Sequence, residues 1–396
     1  MSGVRIPESP QIPATMKIAI NAGYSEMPYG GVGRYTIDLI KNLAAIDKNN
    51  SYYIFSRIHS CHLSGLPENF FYYTVPAADL RSFHKNFSQS KQYKEINPDI
   101  LHMLHFAVPK HRGSAGLVIT IHDLIYPVLS SLSMLLSRRS PVSCISLEGL
   151  LSSFSGRNLA RKADALITVS KTSSRDIRQY LGVDARVIYS GLNEDFISPK
   201  TPGQISETCS RFGLEAKKYF IYFGGHGRRK NVMNIFQAWN NLPAAVKNYY
   251  KFCIAGEGYY EKKIKKLLAG RLRTQAGNFI FTGNIAYADL SVLAAGAYAS
   301  IYGSFYEGFG FPAAESCAVG VPCICSDIPS LREIMPASGL FVHPAKISEF
   351  TEAIIELCGN KNLYNKISSD SSSACSGFSW KKSAELYIEV YKNCRQ

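Results

Sequence analysis

The strongest constraint on this chain is a rhythm. From Lys17 onward, short β-branched runs alternate with longer stretches whose apolar residues recur at helical spacing. The first series of runs is Lys17–Asn21, Tyr52–Ser56, Phe71–Val75, Ile100–Met103, Val118–His122, Ala165–Val169 and Val187–Tyr189. Between them lie patterns such as Arg34–Ala45, which puts Ile37, Ile40, Leu43 and Ala44 on one face. Strands joined through helices lie parallel, in a sheet covered on both faces. A second series follows at Tyr219–Phe223, Phe252–Ala255, Phe279–Thr282, Ala299–Tyr302, Cys323–Ser326 and Leu340–Val342. The rhythm therefore predicts an α/β protein of two Rossmann-like, doubly wound domains facing each other across a cleft. Ligands bind at the C-terminal edges of such sheets.

Ser190–Thr208 lacks periodicity and carries Gly191, Pro199, Pro202 and Gly203, so it reads as a linker, set at 196–208. The expected domains are 16–195 and 209–377. The Ser-rich stretch Ser368–Ser376 reads as a turn or hinge, and Trp380–Lys392 as a final amphipathic helix within 378–396.

A length of 396 residues suits two or three domains, and 46% hydrophobic residues suits sizeable cores. No apolar run is long enough to predict a membrane span. Residues 1–15, with Pro7, Pro10 and Pro13, read as a disordered tail and not a signal peptide. The ten cysteines lack metal-ligand spacing, which favours free thiols in a cytoplasmic setting. The net charge of +14 suits anionic substrates or an anionic membrane face. Nothing resembles a nucleic-acid motif. The basic–aromatic stretch Arg81–Lys94 and the Leu/Ser-rich Val128–Leu151, with Arg138 and Arg139, are candidates for membrane contact or plain acceptor-side structure.

Chemistry concentrates at Glu307-Gly308-Phe309-Gly310-Phe311-Pro312-Ala313-Ala314-Glu315. A strand runs into a glycine-broken loop, then into a helix opened by proline, with Glu315 expected in its first turn. Free N–H groups and the helix dipole favour an anion there. Two glutamates beside a phosphate make sense as acceptors for sugar hydroxyls, which points to a nucleotide-sugar. Gly30-Gly31-Val32-Gly33 can cradle a phosphate at a helix start. It stands too far from its strand for a tight dinucleotide turn. Gly224-Gly225-His226-Gly227-Arg228-Arg229-Lys230 brings cations that suit a diphosphate. Thr120-Ile121-His122-Asp123 ends an apolar strand. His122 is the leading histidine, ahead of His102 and His105, and Asp123 either orients it or caps the next turn. Glu257 and the basic helix Tyr260–Arg273 read as surface.

In this order, these pieces resemble the retaining family 4 glycosyltransferases of GT-B fold, in a form similar to bacterial mannosyltransferases. The resemblance covers nearly the whole chain from Met16. It rests chiefly on Glu307 through Glu315, which matches the family's paired-glutamate signature, with support from Gly30–Gly33, Ala163–Ser170, His122-Asp123 and Arg229-Lys230-Asn231. It implies that Glu307, with the backbone of Gly308, Phe309 and Gly310, holds donor-sugar hydroxyls. Glu315 would hold the ribose. Lys230 would neutralise the diphosphate, with Gly30 and Gly31 closing over it, and His122 would lie near the reacting centre. The last helix would pack back on the first domain. Where many relatives have an arginine, this chain has Gly225, so Arg228 or Arg229 must supply the second cation.

The expected activity is hexose transfer, mannose favoured, from a nucleoside diphosphate sugar. The acceptor would be a saccharide or lipid-linked saccharide, in surface polysaccharide synthesis at the cytoplasmic membrane face. No cofactor or metal is expected, because no D-x-D sequence appears and cations can take its place. A nucleotide-sugar 2-epimerase, a nicotinamide dehydrogenase and a catalytically silent nucleotide-sugar-binding protein are the alternatives. The first lacks a matching set of acid–base residues, and the second lacks its glycine turn. The third would have lost site residues that are present here.

Overall fold

The computed structural model describes residues 15–125, 128, 156–256, 278–335 and 338–395. The N-terminal tail, most of Val128–Leu151, and Glu257 with its basic helix lie outside the described residues. Strands form where apolar runs were read. In the first half they are β1 (Lys17–Asn21), β2 (Ser51–Ser56), β3 (Phe70–Thr74), β4 (Ile100–Met103), β5 (Gly116–Ile121), β6 (Ala165–Thr168) and β7 (Arg186–Val187). The second half carries β8 (Tyr219–Phe223), β9 (Lys251–Ala255), β10 (Phe279–Phe281), β11 (Ala299–Tyr302), β12 (Cys323–Ser326) and β13 (Gly339–Val342).

The first sheet has seven strands in the order β3-β2-β1-β4-β5-β6-β7, and the second has six in the order β10-β9-β8-β11-β12-β13. The registered pairs are parallel, as β1 with β4 and β8 with β9 illustrate. β5 and β8 are buried at every position, which is why they read as unbroken apolar runs and not as alternating ones. In each sheet the winding direction reverses once, between β1 and β4 and between β8 and β11. A doubly wound sheet opens its crevice at that point, outside the carboxyl ends of the strands.

The chain divides into two compact units. One is Met1–Ile119 with Lys162–Ala165 and Ile388–Gln396; the other is Thr120–Arg161 with Leu166–Tyr387. The last helix, Trp380–Cys394, serves both. In the first unit the Tyr391 hydroxyl meets His102 Nδ1 at 2.7 Å. In the second, Tyr387 and Thr120 hydroxyls lie 3.1 Å apart.

Two local expectations change. Ser368–Ser376 is not a hinge: the helix Lys361–Ala374 runs through most of it. Its serines satisfy themselves inside the helix, as Ser371 Oγ does on the Ile367 carbonyl at 2.6 Å, or on a neighbour, as Ser368 Oγ does on Gly320 O at 2.8 Å. The stretch around 196–208 also carries structure, the helix Pro202–Arg211. Pro202, which looked like a breaker, is a helix starter, and Thr201 with Gln204 completes a reciprocal capping box.

Candidate active site

The second unit's sheet reversal places two loops side by side. One leaves β8 and carries Arg229 and Lys230; the other leaves β11 and carries Ser304 and Glu307. Asn231 pins the first loop to the second half of the sheet. It adopts a left-handed conformation (φ 53°), and its amide donates to Gly303 O at 2.9 Å and Pro344 O at 2.6 Å. The Phe305 amide returns a bond to Arg229 O at 2.8 Å.

Glu307 is the hub. Its Oε1 accepts from Lys230 Nζ and Ser304 Oγ, both at 2.6 Å, and its Oε2 from Arg229 Nη1 at 2.7 Å. The Arg229 guanidinium also reaches Tyr306 O at 3.2 Å. Only 7% of Glu307 is exposed. Burial alone would raise its pKa, but the Lys230 and Arg229 charges, with the Lys230 and Ser304 bonds, outweigh that and hold it at about 2. Burial pushes the Lys230 pKa down, and Glu307 opposes that without reversing it. For Arg229 the balance goes the other way, burial being outweighed by Glu307. The expected diphosphate cations and the expected sugar-binding carboxylate thus hold one another. Of the two arginines that could stand in for Gly225, Arg229 lies on this carboxylate and Arg228 is exposed.

Tight glycine packing shapes the loop beyond Glu307. A β-carbon on Gly308 would stand 2.4 Å from the His122 carbonyl oxygen. Gly310 has φ 97°, and a β-carbon there would meet Leu331 at 2.5 Å. Phe309 turns inward, 3% exposed, against Phe311 and Phe378, so its backbone and not its ring faces the loop. The helix Phe311–Ala318 follows, with Pro312 in its opening positions. Glu315 is its fifth residue, one turn later than the sequence suggested. It is fully buried, and its Oε1 accepts a bond from the Tyr287 hydroxyl. Lys230, Glu307, Gly310 and Pro312 share a small pocket with Tyr222, Phe223 and Tyr302.

His122 joins this loop from the end of β5. Ser170 Oγ donates to Gly308 O at 2.6 Å and Ser173 Oγ to His122 O at 3.0 Å, so one helix start fastens both segments. That helix, Lys171–Leu181, is capped by Ser170, and Glu333 accepts from the Lys171 and Thr172 amides at 2.7 and 2.9 Å. Tyr306 donates to Asp176 Oδ2 at 2.8 Å from the other side. Asp123 caps the turn after it, accepting from the Ile125 amide at 3.2 Å. Burial raises its pKa, and Arg229 pulls it back only in part.

The remaining candidates lie in the first unit. Gly30 and Gly31 are exposed at the start of the helix Gly31–Ile46, where no side chain caps the first turn. His102 is wholly buried on Tyr391, a core role. His105 lies tilted against His84, centroids 3.7 Å apart and planes at 47°. Among the described residues, no group of three or more histidines, cysteines or acids is placed to hold a metal. Sequence reasoning missed Ser304, Tyr287 and the Ser170–Ser173 fasteners. Ser304 stands three residues before Glu307 and Ser170 precedes a helical pattern, which were usable signals; Tyr287 offered none.

Two parallel, doubly wound sheets in one chain are the architecture of the GT-B class. Solved structures agree on that fold. Sucrose-phosphate synthase from Thermosynechococcus elongatus superposes with a TM-score of 0.74 at 18% identity, covering 96% of this chain and 98% of that one. HepE of Anabaena, solved with UDP and glucose, gives 0.73 at 17% identity, covering 96% and 100%. The family model described as Glycosyltransferase Family 4 matches residues 29–196, and the one described as Glycosyl transferases group 1 matches 210–373. The chain belongs to the glycosyltransferases of this family.

Its relatives include O-antigen chain mannosyltransferase B of Escherichia coli, 28% identical over 58% of this chain and 61% of that protein. O-antigen chain mannosyltransferase RfbU of Salmonella typhimurium is 26% identical over 49% and 51%. The MMP alpha-(1->4)-mannosyltransferase of Mycolicibacterium hassiacum is 30% identical over 60% and 56%. These alignments span less than two thirds of the relatives' length.

Proposed function

We propose that the protein is a retaining hexosyltransferase that moves mannose from a nucleoside diphosphate donor to a hydroxyl of a saccharide or lipid-linked saccharide, for surface polysaccharide. The observation that carries this reading is the shared carboxylate: Arg229 and Lys230 converge on Glu307 at the sheet's winding reversal. When the donor binds, its diphosphate takes over the two cations, and Glu307 turns its oxygens to the sugar hydroxyls. The glycosidic C–O bond to the diphosphate breaks as the acceptor oxygen bonds the same face of the anomeric carbon. The leaving phosphate takes the acceptor's proton. Lys230 and Arg229 stabilise the charge that develops on it. His122, fastened beside Gly308, lines the reacting centre, and Glu315 takes the ribose. The relatives' names support mannose and O-antigen. The net charge of +14 supports work at the anionic cytoplasmic face of a membrane.

The test is a donor panel, GDP-mannose included, with a lipid-linked saccharide acceptor, read by mass spectrometry and anomeric NMR. The reading expects acceptor-dependent nucleotide release and a product heavier by one hexose, α-linked from an α-donor. Epimer formation, hydride transfer or no reaction with any donor would sink it.

A further inference from the structure

The carboxylate of Glu315 is held from outside its own helix. Tyr287, the first residue of the helix Tyr287–Gly296, donates its hydroxyl to Glu315 Oε1 across 28 residues of sequence. The Tyr287 ring is itself fixed. It stands edge-on to Phe196 with centroids 5.1 Å apart and planes at 61°. Phe196 is buried and stacks on Phe223 at 5.8 Å, and Phe223 ends β8 and lines the pocket beside Lys230. An aromatic chain therefore runs from the cation loop to the hydroxyl that grips Glu315.

We propose that Tyr287 is a positioning residue for the nucleotide's ribose, setting the Glu315 carboxylate in the orientation that accepts the ribose hydroxyls. The proposal rests on the reading of Glu315 as the ribose acceptor. A fully buried carboxylate needs donors to stay oriented. Carboxylate oxygens offer about four acceptor positions, so one phenol does not exhaust them. The phenol fixes the plane in which the diol must lie. Removing the hydroxyl while keeping the ring leaves the Phe196 contact in place and takes this bond from the carboxylate.

Calorimetry tests this on the full chain. GDP and UDP are titrated into the wild type, and the tighter binder is carried forward with its 2′-deoxy and 2′,3′-dideoxy forms. The wild type should prefer the ribonucleotide over the dideoxy form by about 10-fold or more, the scale of hydrogen bonds to a charged group. Glu315→Ala should abolish that preference. Tyr287→Phe should weaken ribonucleotide binding by roughly 10-fold while leaving the dideoxy affinity within about twofold, and should add nothing in the Glu315→Ala background. An undiminished preference in Tyr287→Phe overturns the proposal and leaves the ribose reading standing. Equal weakening of both nucleotides in Tyr287→Phe also overturns it, as a merely structural role. No preference in the wild type, or one that survives Glu315→Ala, overturns the ribose reading itself. Failure of the wild type to bind either nucleotide overturns both.

Discussion

Glu307 carries the sharpest residue-level expectations, because two cations and a hydroxyl meet on it. Its pKa is held at about 2, below the ordinary 4.5. A depressed carboxylate gives stability that is fully present above its unfolded pKa and is lost as pH falls toward the folded one. Glu307→Gln should lower stability at pH 7 by about 3 kcal/mol, since it leaves Arg229 and Lys230 buried without their anion. The gap to wild type should narrow as pH drops below about 4.5. Melting temperatures of both proteins across pH 3 to 8 check this, and a gap constant with pH would refute it. Lys230→Ala belongs to the same cluster. It should cut turnover by about 10²–10³-fold with an unchanged far-UV spectrum, as expected when one charge stabiliser is lost. Steady-state kinetics with the identified donor measures it, and unchanged turnover would remove Lys230 from the mechanism. None of this pairing was legible in the sequence. Glu307, Arg229 and Lys230 each stood out, but local spacing cannot show that residues 77 and 78 positions apart share two oxygens.

At the scale of elements, the packing of one loop against one strand end decides the site's shape. Gly308→Ala would drive a methyl to 2.4 Å from the His122 carbonyl. It should cost about 1–3 kcal/mol, read as a shifted urea midpoint. Gly203, inside the helix Pro202–Arg211 with open space around it, is the opposite case. Gly203→Ala should stabilise by roughly 0.5–1 kcal/mol through helix propensity. If both changes move the midpoint the same way, the packing account is wrong. Strands were legible because parallel-sheet strands buried on both faces read as apolar runs, and Lys17–Asn21 and Tyr219–Phe223 fall where they were read. Composition misled where serine was concerned. Ser371 and Ser373 of the helix Lys361–Ala374 bond carbonyls of their own helix and Ser368 bonds Gly320 O, which composition does not reveal.

For the molecule as a whole, the excess of positive charge is the property with the widest reach. Among the described residues no helix is long and apolar enough to cross a membrane. The proposed membrane contact draws on this charge. Sedimentation with vesicles of 30% anionic phosphatidylglycerol should capture the protein at about 50 mM salt and release it near 500 mM, as screening shortens the Debye length. Capture that ignores salt, or none at either salt, would count against the contact. The architecture was legible from the repeat of strand and helix. The two-unit division was not, because it passes through β5 and β6 and assigns the end of the chain to the unit that holds its beginning.

The bond network around Glu307 bears on which anions could reach Arg229 and Lys230. With its own carboxylate lodged on both cations, the site is furnished with a tethered decoy anion. A stray inorganic phosphate must evict that decoy and offers nothing for the freed oxygens to do. On the proposed reading a sugar nucleotide would evict it with a diphosphate that spans both cations, and its hydroxyls would then occupy the released carboxylate. On that reading the arrangement would screen out small anions, in the same three side chains that would carry the chemistry.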